Sequence, residues 1–325
     1  MKKPKTKKIL KATAKNIRLA AKLLKDGGVV AFPTETVYGL GASVFDGKAA
    51  ARIFEIKKRP RFDPLIVHIC EKKQLRLLAQ TVPPAAEKLI REFWPGPLTL
   101  VLTKKAAVPD IVTAGLNTVA VRMPENKIAL KLIKASGTPL AAPSANLFSR
   151  LSPTRAGHVY SQLKEGPDLI LDGGKTRIGL ESTILKYERG TFRLLRAGGL
   201  ETEKIEKISG RKLLRGKKRG VEAPGQSKKH YSPKAELLIV TGPGKAVRKG
   251  KTAYLAFSAR PGKKFDYTRV LSPSGDLREA AANLFDFLHG AEARGIKTVY
   301  AEKPPLEGLG LAIMDRLKRA SHDKK

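Results

Sequence analysis

Cysteine is almost absent from this chain of 325 residues: Cys70 is the only one. No intrachain disulfide can form, and no thiolate cluster can bind a metal. The 5 histidines are scattered and give no metal-ligand spacing. No apolar run reaches the roughly 18 residues of a membrane-spanning helix. The first 25 residues hold ten Lys or Arg, with no acid before Asp26, and no continuous apolar segment follows them. That pattern does not resemble a secretory signal. These absences fit a cytoplasmic protein without a membrane segment.

Acidic residues are scarce too. The 29 Asp and Glu face 64 Lys and Arg, for a net charge of +35. Such an excess favours polyanionic partners, nucleic acid first, though a proteome-wide adaptation or a solubility device would look the same. Familiar catalytic signatures are missing as well: no C-x-x-C, no H-E-x-x-H and no G-x-S-x-G. Gly173-Gly174-Lys175-Thr176 comes nearest to a P-loop, and it lacks the glycine that would stand at Leu169.

What is present begins with 42% hydrophobic residues, enough for a core, in a chain long enough for two domains. The stretch from Val29 to Asp63 organises the rest. Val29 to Phe32 reads as a buried strand stopped by Pro33. Thr34, Glu35 and Thr36 follow, and Gly39 and Gly41 permit a tight turn or close approach to a ligand. Ala49 to Ile56 reads as a helix capped by Asp46, ending in Lys57, Lys58, Arg59 and Arg61. Hydroxyls and cations in one unit suit an anionic ligand. A strand, a turn and a solvated basic helix end would read alike.

Helical spacing recurs from Asn16 to Lys25, Glu125 to Ala135 and Thr154 to Leu163, the last capped by Thr154. Two more helices are expected between Glu71 and Glu92. Leu65 to Ile69, Leu98 to Leu102, Thr118 to Val121, Leu140 to Ala142 and Leu169 to Leu171 read as strands. Ser182 to Tyr187 and Phe192 to Leu195 read as a hairpin. Without regular βαβ alternation, this mixture argues for α+β or a twisted mixed sheet. Six of the nine residues from Arg211 to Arg219 are basic, and the aperiodic stretch to Pro233 reads as a linker. Beyond it, strands alternate with helices, of which Leu277 to Ala293 is the strongest, suggesting a small α/β domain. The expected division is a basic tail over 1–12, a main domain over 13–210, a linker over 211–235 and a second domain over 236–325.

Polar residues at the ends of the apolar strands are the candidate chemistry. Lys57, Arg59, Ser144 and Asn146 form two pairs far apart in sequence, and together they suit phosphate oxygens. Thr36, His68, Arg122 and Ser182 also stand at or beside strand ends. Arg122 suits a carboxylate, and the two hydroxyls suit polar ligand groups. Each alone also fits a satisfied strand end.

In these residues the chain resembles the threonylcarbamoyl-AMP synthases of the YrdC-like superfamily, in their long two-domain form. The matching segments are FPTETVYGLGA, IFEIKKRPRFDPLIVHI, FWPGPLTLVL, TVAVRMP, PLAAPSAN and GLESTIL. PGQSKKHYSP resembles the family's linker motif, and AANLFDFLHGAEARGIKTVYAE with EGLGLAIMDRLKRAS resembles its C-terminal domain. The resemblance implies an α/β fold: a YrdC-like twisted mixed sheet with helices around a basic cavity, then a small Rossmann-like domain. The linker would fold over the active site. The implied reaction joins L-threonine, bicarbonate or CO2, and ATP into L-threonylcarbamoyl-adenylate and pyrophosphate. Mg²⁺ would arrive on ATP, with no metal ligand from the protein. The product would pass to a tRNA-modifying transferase complex, for the adenosine next to the anticodon.

Carried over residue by residue, Lys57, Arg59, Ser144 and Asn146 match the family's nucleotide-binding tetrad, with Lys57 and Arg59 as the catalytic cations. Thr118, Ser152, Arg196 and Tyr231 match further ATP contacts. Thr36, His68, Arg122, Ser182 and the Ala142 backbone match the surroundings of L-threonine, and Thr34 is an alternative to Thr36. Asp63, matched to one more ATP contact, stands where the family often has asparagine, Ala197 replaces a frequent proline, and Met314 replaces a frequent asparagine. The rival from another class is a non-catalytic double-stranded RNA or tRNA binder that uses the same basic cavity. A carbamoyltransferase relative is a weaker third reading, since the zinc-finger-like cysteines of such proteins are missing.

Overall fold

The computed structural model describes residues 8–216, 220–225, 231–247 and 250–321. Most of the expected tail, three residues of the basic run and Gln226 to His230 of the linker motif lie outside the described residues. The chain opens with β1 (Ile9–Lys11), α1 (Ala14–Lys25), β2 (Val30–Phe32), β3 (Gly39–Ser43), α2 (Gly47–Lys57) and β4 (Ile66–His68). Then come α3 (Leu75–Leu78), α4 (Pro84–Phe93), β5 (Leu98–Thr103), α5 (Asp110–Thr113), β6 (Thr118–Arg122) and α6 (Lys127–Ser136). The first domain finishes with β7 (Leu140–Ala141), α7 (Ala156–Leu163), β8 (Leu169–Asp172), β9 (Thr183–Glu188), β10 (Thr191–Arg196) and α8 (Thr202–Ser209).

These ten strands form one mixed sheet in the order β1-β8-β2-β3-β7-β4-β6-β5-β9-β10. Strand alternation builds a core on each face. Val30 and Phe32 pack with Ile17, Leu24, Leu132 and Ile133 of α1 and α6, while Val29 and Ala31 join the larger core beneath α2, α4 and α7.

Three readings of the sequence change here. The tail expected over 1–12 ends earlier, because Ile9–Lys11 adds a parallel edge strand to β8, Ile9 opposite Ile170. Gly39 and Gly41 lie in β3, not in a turn, with Gly41 opposite Val30. A side chain on Gly41 would come within 2.6 Å of the Phe32 ring, so packing demands glycine there. Helix α7 starts after Arg155, and Thr154 makes no N-cap; its amide donates to His158 instead.

The second domain holds β11 (Glu236–Val240), β12 (Thr252–Ala256), β13 (Tyr267–Val270), α9 (Leu277–Ala293), β14 (Thr298–Glu302) and α10 (Gly310–Ser321). Its sheet, ordered β11-β14-β12-β13, is parallel throughout. Asp276 caps α9 by accepting from the amides of Arg278 and Glu279. The two domains share a core, since Leu151, Leu180 and Tyr231 pack among Ala281, Leu284 and Phe285. Gly179 (φ +75°) lies so close to α9 that a side chain would strike the Ala281 carbonyl and Ala282 Cα, each at 2.6 Å. The contact therefore needs glycine on two counts.

Candidate active site

Strand ends converge on one narrow cavity of about 40 Å³. Thr34 and Thr36 reach it from the turn after β2, and His68 and Arg122 from the ends of β4 and β6, which pair directly. Ala142 and Ser144 follow β7, Ser182 precedes β9, and Arg196 ends β10. Arg59 enters because Lys58, at φ 51°, turns the chain sharply after α2. Pro224 and Tyr231, from the stretch between the two sheets, complete the lining.

The cations behind this lining are buried and committed. The Lys57 ammonium donates to the carbonyls of Ser144 and Asn146, each at 2.5 Å. Burial, with Arg59 nearby, lowers it well below the ordinary lysine range, while Asp63 opposes the shift. Arg59 donates to the Asp63 and Pro64 carbonyls and pairs with the Asp63 carboxylate at 2.9 Å. Burial pushes the Asp63 carboxyl up, against the pull of Arg59 and Lys57. Asn146 donates to the carbonyls of Leu147 and Arg150, and its buried Oδ1 has no partner. An acceptor left unsatisfied is costly in a dry site, so Oδ1 is a group a ligand would satisfy.

Across the cavity, Arg122 donates to Thr36 Oγ1 at 2.9 Å, to the Gly96 carbonyl at 3.2 Å, and to Glu35. Thr34 accepts from the amides of Thr36 and Val37 and donates its proton to the Val37 carbonyl at 2.6 Å. In the 2.8 Å contact between the two threonines the donor must therefore be Thr36. Thr36 keeps lone-pair capacity for a ligand donor, whereas Thr34 is spent on the turn. His68 is fully buried and lowered to about 3, chiefly by burial and then by Arg122, so it is neutral near pH 7. Ser182 shares a 2.7 Å hydrogen bond with Thr99 and receives one from Arg196 at 3.1 Å.

Of the candidates from the sequence, Lys57, Asp63, Asn146 and Ser152 lie behind the lining, and Ser152 donates to Glu181. Thr118 stands at the opposite end of β6 from Arg122, roughly 13 Å along the strand. Between them the linker's Ala223 packs on Ile66, Val101 and Ala120. Three structural partners escape the sequence reading: Glu35, Glu181 and Arg316. Glu35 and Glu181 lie inside the quoted motifs, and their signal is a carboxylate beside strand-end hydroxyls.

A family model described as telomere recombination matches residues 22–198, and one described as threonylcarbamoyl-AMP synthase, C-terminal domain, matches residues 200–322. The chain is 45% identical to the threonylcarbamoyl-AMP synthase of Pyrococcus abyssi over 318 residues, 94% of each chain. The chain belongs to the threonylcarbamoyl-AMP synthase family. The Bacillus subtilis synthase is 42% identical, with 94% of this chain and 92% of that one covered. The crystal structure of P. abyssi Sua5 complexed with L-threonine superposes with a TM-score of 0.89 at 43% identity, covering 96% of both chains. E. coli YciO superposes with a TM-score of 0.53 at 26% identity, covering 57% of this chain and 90% of its own. Membership in the synthase family makes the chain an enzyme, a nucleotidyltransferase that forms threonylcarbamoyl-adenylate.

Proposed function

We propose that this one cavity binds L-threonine on the Thr36, His68, Arg122, Ala142 and Ser182 side and ATP on the Lys57, Arg59, Ser144, Asn146 and Arg196 side. The observation that carries this reading is the convergence: Thr36, His68, Arg122 and Ser182 line the same cavity as Arg59, Ser144 and Arg196, and Lys57 is tied to the Ser144 carbonyl behind it. The substrate amine attacks CO2, or CO2 released from bicarbonate, and loses a proton, giving a carbamate. A carbamate oxygen then attacks the α-phosphorus of ATP, the bond to the β-phosphate oxygen breaks, and pyrophosphate leaves.

The protein's part is alignment and charge. Arg122 has N–H groups beyond those given to Glu35, Thr36 and Gly96, and they take the threonine carboxylate. Thr36 Oγ1 accepts from the amine. Arg59, Lys57 and Arg196 stabilise phosphate oxygens. Pro224 and Tyr231 keep water from the carbamate and the mixed anhydride. A nucleotide that reaches Thr118 or Ser152 requires the linker to shift, because Ala223 covers the sheet face on the way to Thr118.

Glu35, Asp63 and Glu181 are each paired with an arginine, and no group of three His, Cys, Asp or Glu converges among the described residues. This donor set suits a Mg²⁺ that rides on the ATP phosphates, where it would neutralise their charge. We place the reaction in the cytoplasm, with its product passed to a tRNA-modifying transferase complex. No helix among the described residues is long and apolar enough to cross a membrane. The rival reading as a duplex RNA binder loses support, since the relatives at 45% and 42% identity over nearly the whole chain are synthases. Surface contacts with tRNA remain compatible with the +35 charge.

The test is incorporation of labelled bicarbonate into a nucleotide-linked product. The reading requires L-threonine and ATP together. Incorporation without threonine would contradict it.

A further inference from the structure

A side chain of the C-terminal domain bonds directly to the cavity wall. Arg316, on α10, is only 1% exposed. Its Nε donates to Glu181 at 2.9 Å, and its Nη1 donates to the Ala197 carbonyl at 2.9 Å. Glu181 lines the cavity and precedes Ser182. Burial acts against the Glu181 carboxylate, but Arg316, Arg196 and the Ser152 hydroxyl hold it below the usual range. The same guanidinium lies 4.8 Å from the centre of the Tyr231 ring, and the Phe285 ring centre lies 5.7 Å from that of Tyr231.

Tyr231 is held in a backbone conformation that bulky residues avoid, with φ 63°. Only surrounding contacts can maintain it. The next residue, Ser232, donates its amide to the Ser149 carbonyl at 2.8 Å. The cation over the ring is a further anchor, and burial strengthens it.

We propose that Arg316 is a positioning residue for the synthase reaction, one that pins Tyr231 over the nucleotide side of the cavity and fixes Glu181 in its wall. The C-terminal domain thereby takes part in closing the site. This rests on the reaction proposed above. It gives the AIMDRL segment of the sequence a task.

The test uses the full-length chain with Arg316→Lys and Arg316→Gln. Lys318→Gln, on the exposed face of the same helix, is the control. Lysine keeps the charge but loses the fork and the flat face that stacks. The expected result for folded Arg316→Lys is a KM for ATP raised about tenfold or more, the scale of one charge-assisted contact. The threonine KM should move by less than about threefold. Amide exchange at Ser232 should quicken, while exchange at Val67 in the sheet stays as in wild type. A purely structural ion pair would lower thermal stability and leave both readouts unchanged in the folded protein, and that result would overturn the proposal. If neither variant folds, Phe285→Leu loosens Tyr231 without touching the ion pair, and the same two outcomes decide. Exchange needs no turnover. A wild type without threonine-dependent pyrophosphate release would therefore count against the reaction, and the exchange result would still decide on the anchor.

Discussion

The carboxylate of Glu35 and the guanidinium of Arg122 meet inside the cavity wall, with side chains 3% and 4% exposed. A buried pair of this kind orients more than it stabilises, because both charges have lost their water. Breaking one partner is costly, about 3–5 kcal/mol. Glu35→Gln should therefore lower thermal stability and, in the folded fraction, raise the threonine KM about tenfold with a smaller effect on ATP. Thermal melts and initial rates at varied threonine check both parts. An unchanged threonine KM would remove Arg122 from the substrate site.

The two threonines beside Glu35 should separate cleanly. Thr34 spends its hydroxyl on the Val37 carbonyl and two amides, so Thr34→Val should act mainly on stability. Thr36→Val should act mainly on the threonine KM, raising it about tenfold, the scale of one lost hydrogen bond. Paired melts and kinetics on the two variants decide the assignment. A reversed pattern would give the substrate contact to Thr34.

Asp63 sits against Arg59 at 2.9 Å and holds part of its charge away from a ligand. Asp63→Asn keeps the shape and removes the competing carboxylate. ATP should then bind more tightly, its KM falling about threefold, as Arg59 presents more of its charge to phosphate. A rise in KM would show that the carboxylate itself serves the nucleotide.

Acid should weaken the fold through its buried histidines. His68 is lowered to about 3, mainly by burial, and His158 and His289, stacked 3.9 Å apart at the domain boundary, to about 4, again mainly by burial. The unfolded chain binds protons at these sites below its ordinary value near 6.5, while the folded chain does not until about 4 or 3. Their contribution is thus complete above pH 6.5 and is lost as pH falls through the window to those folded values. Thermal melts from pH 7.5 to pH 4.5 should show falling stability, and His68→Asn should flatten that fall. An identical pH dependence in the variant would exclude His68 as a source.

Much of the site was legible because it interrupts apolar strands. His68, Arg122 and Ser182 stand out as polar residues where a buried run stops, and the cavity is built from those stops. The fold was legible where period and caps agree, as in α9, whose bounds from Leu277 to Ala293 match the expectation. Strand β3 was not, since Gly39 and Gly41 look like turn residues, and only the ring of Phe32 explains why a strand needs Gly41. Strand β1 hides among lysines, because an edge strand needs few apolar residues. Arg316 was illegible for another reason. On a helix it looks like any surface cation, and only the packing of α10 against the first domain buries it beside Glu181.

The most direct test is pyrophosphate release from ATP, measured with and without L-threonine and bicarbonate, on wild type and on Lys57→Ala. Lys57 ties the Ser144 and Asn146 carbonyls together on the side proposed for the nucleotide, so its loss should cost most of the rate in protein shown to be folded. The account predicts release that needs both co-substrates and collapses in the variant. Threonine-independent release, or full activity in a folded Lys57→Ala protein, would contradict it.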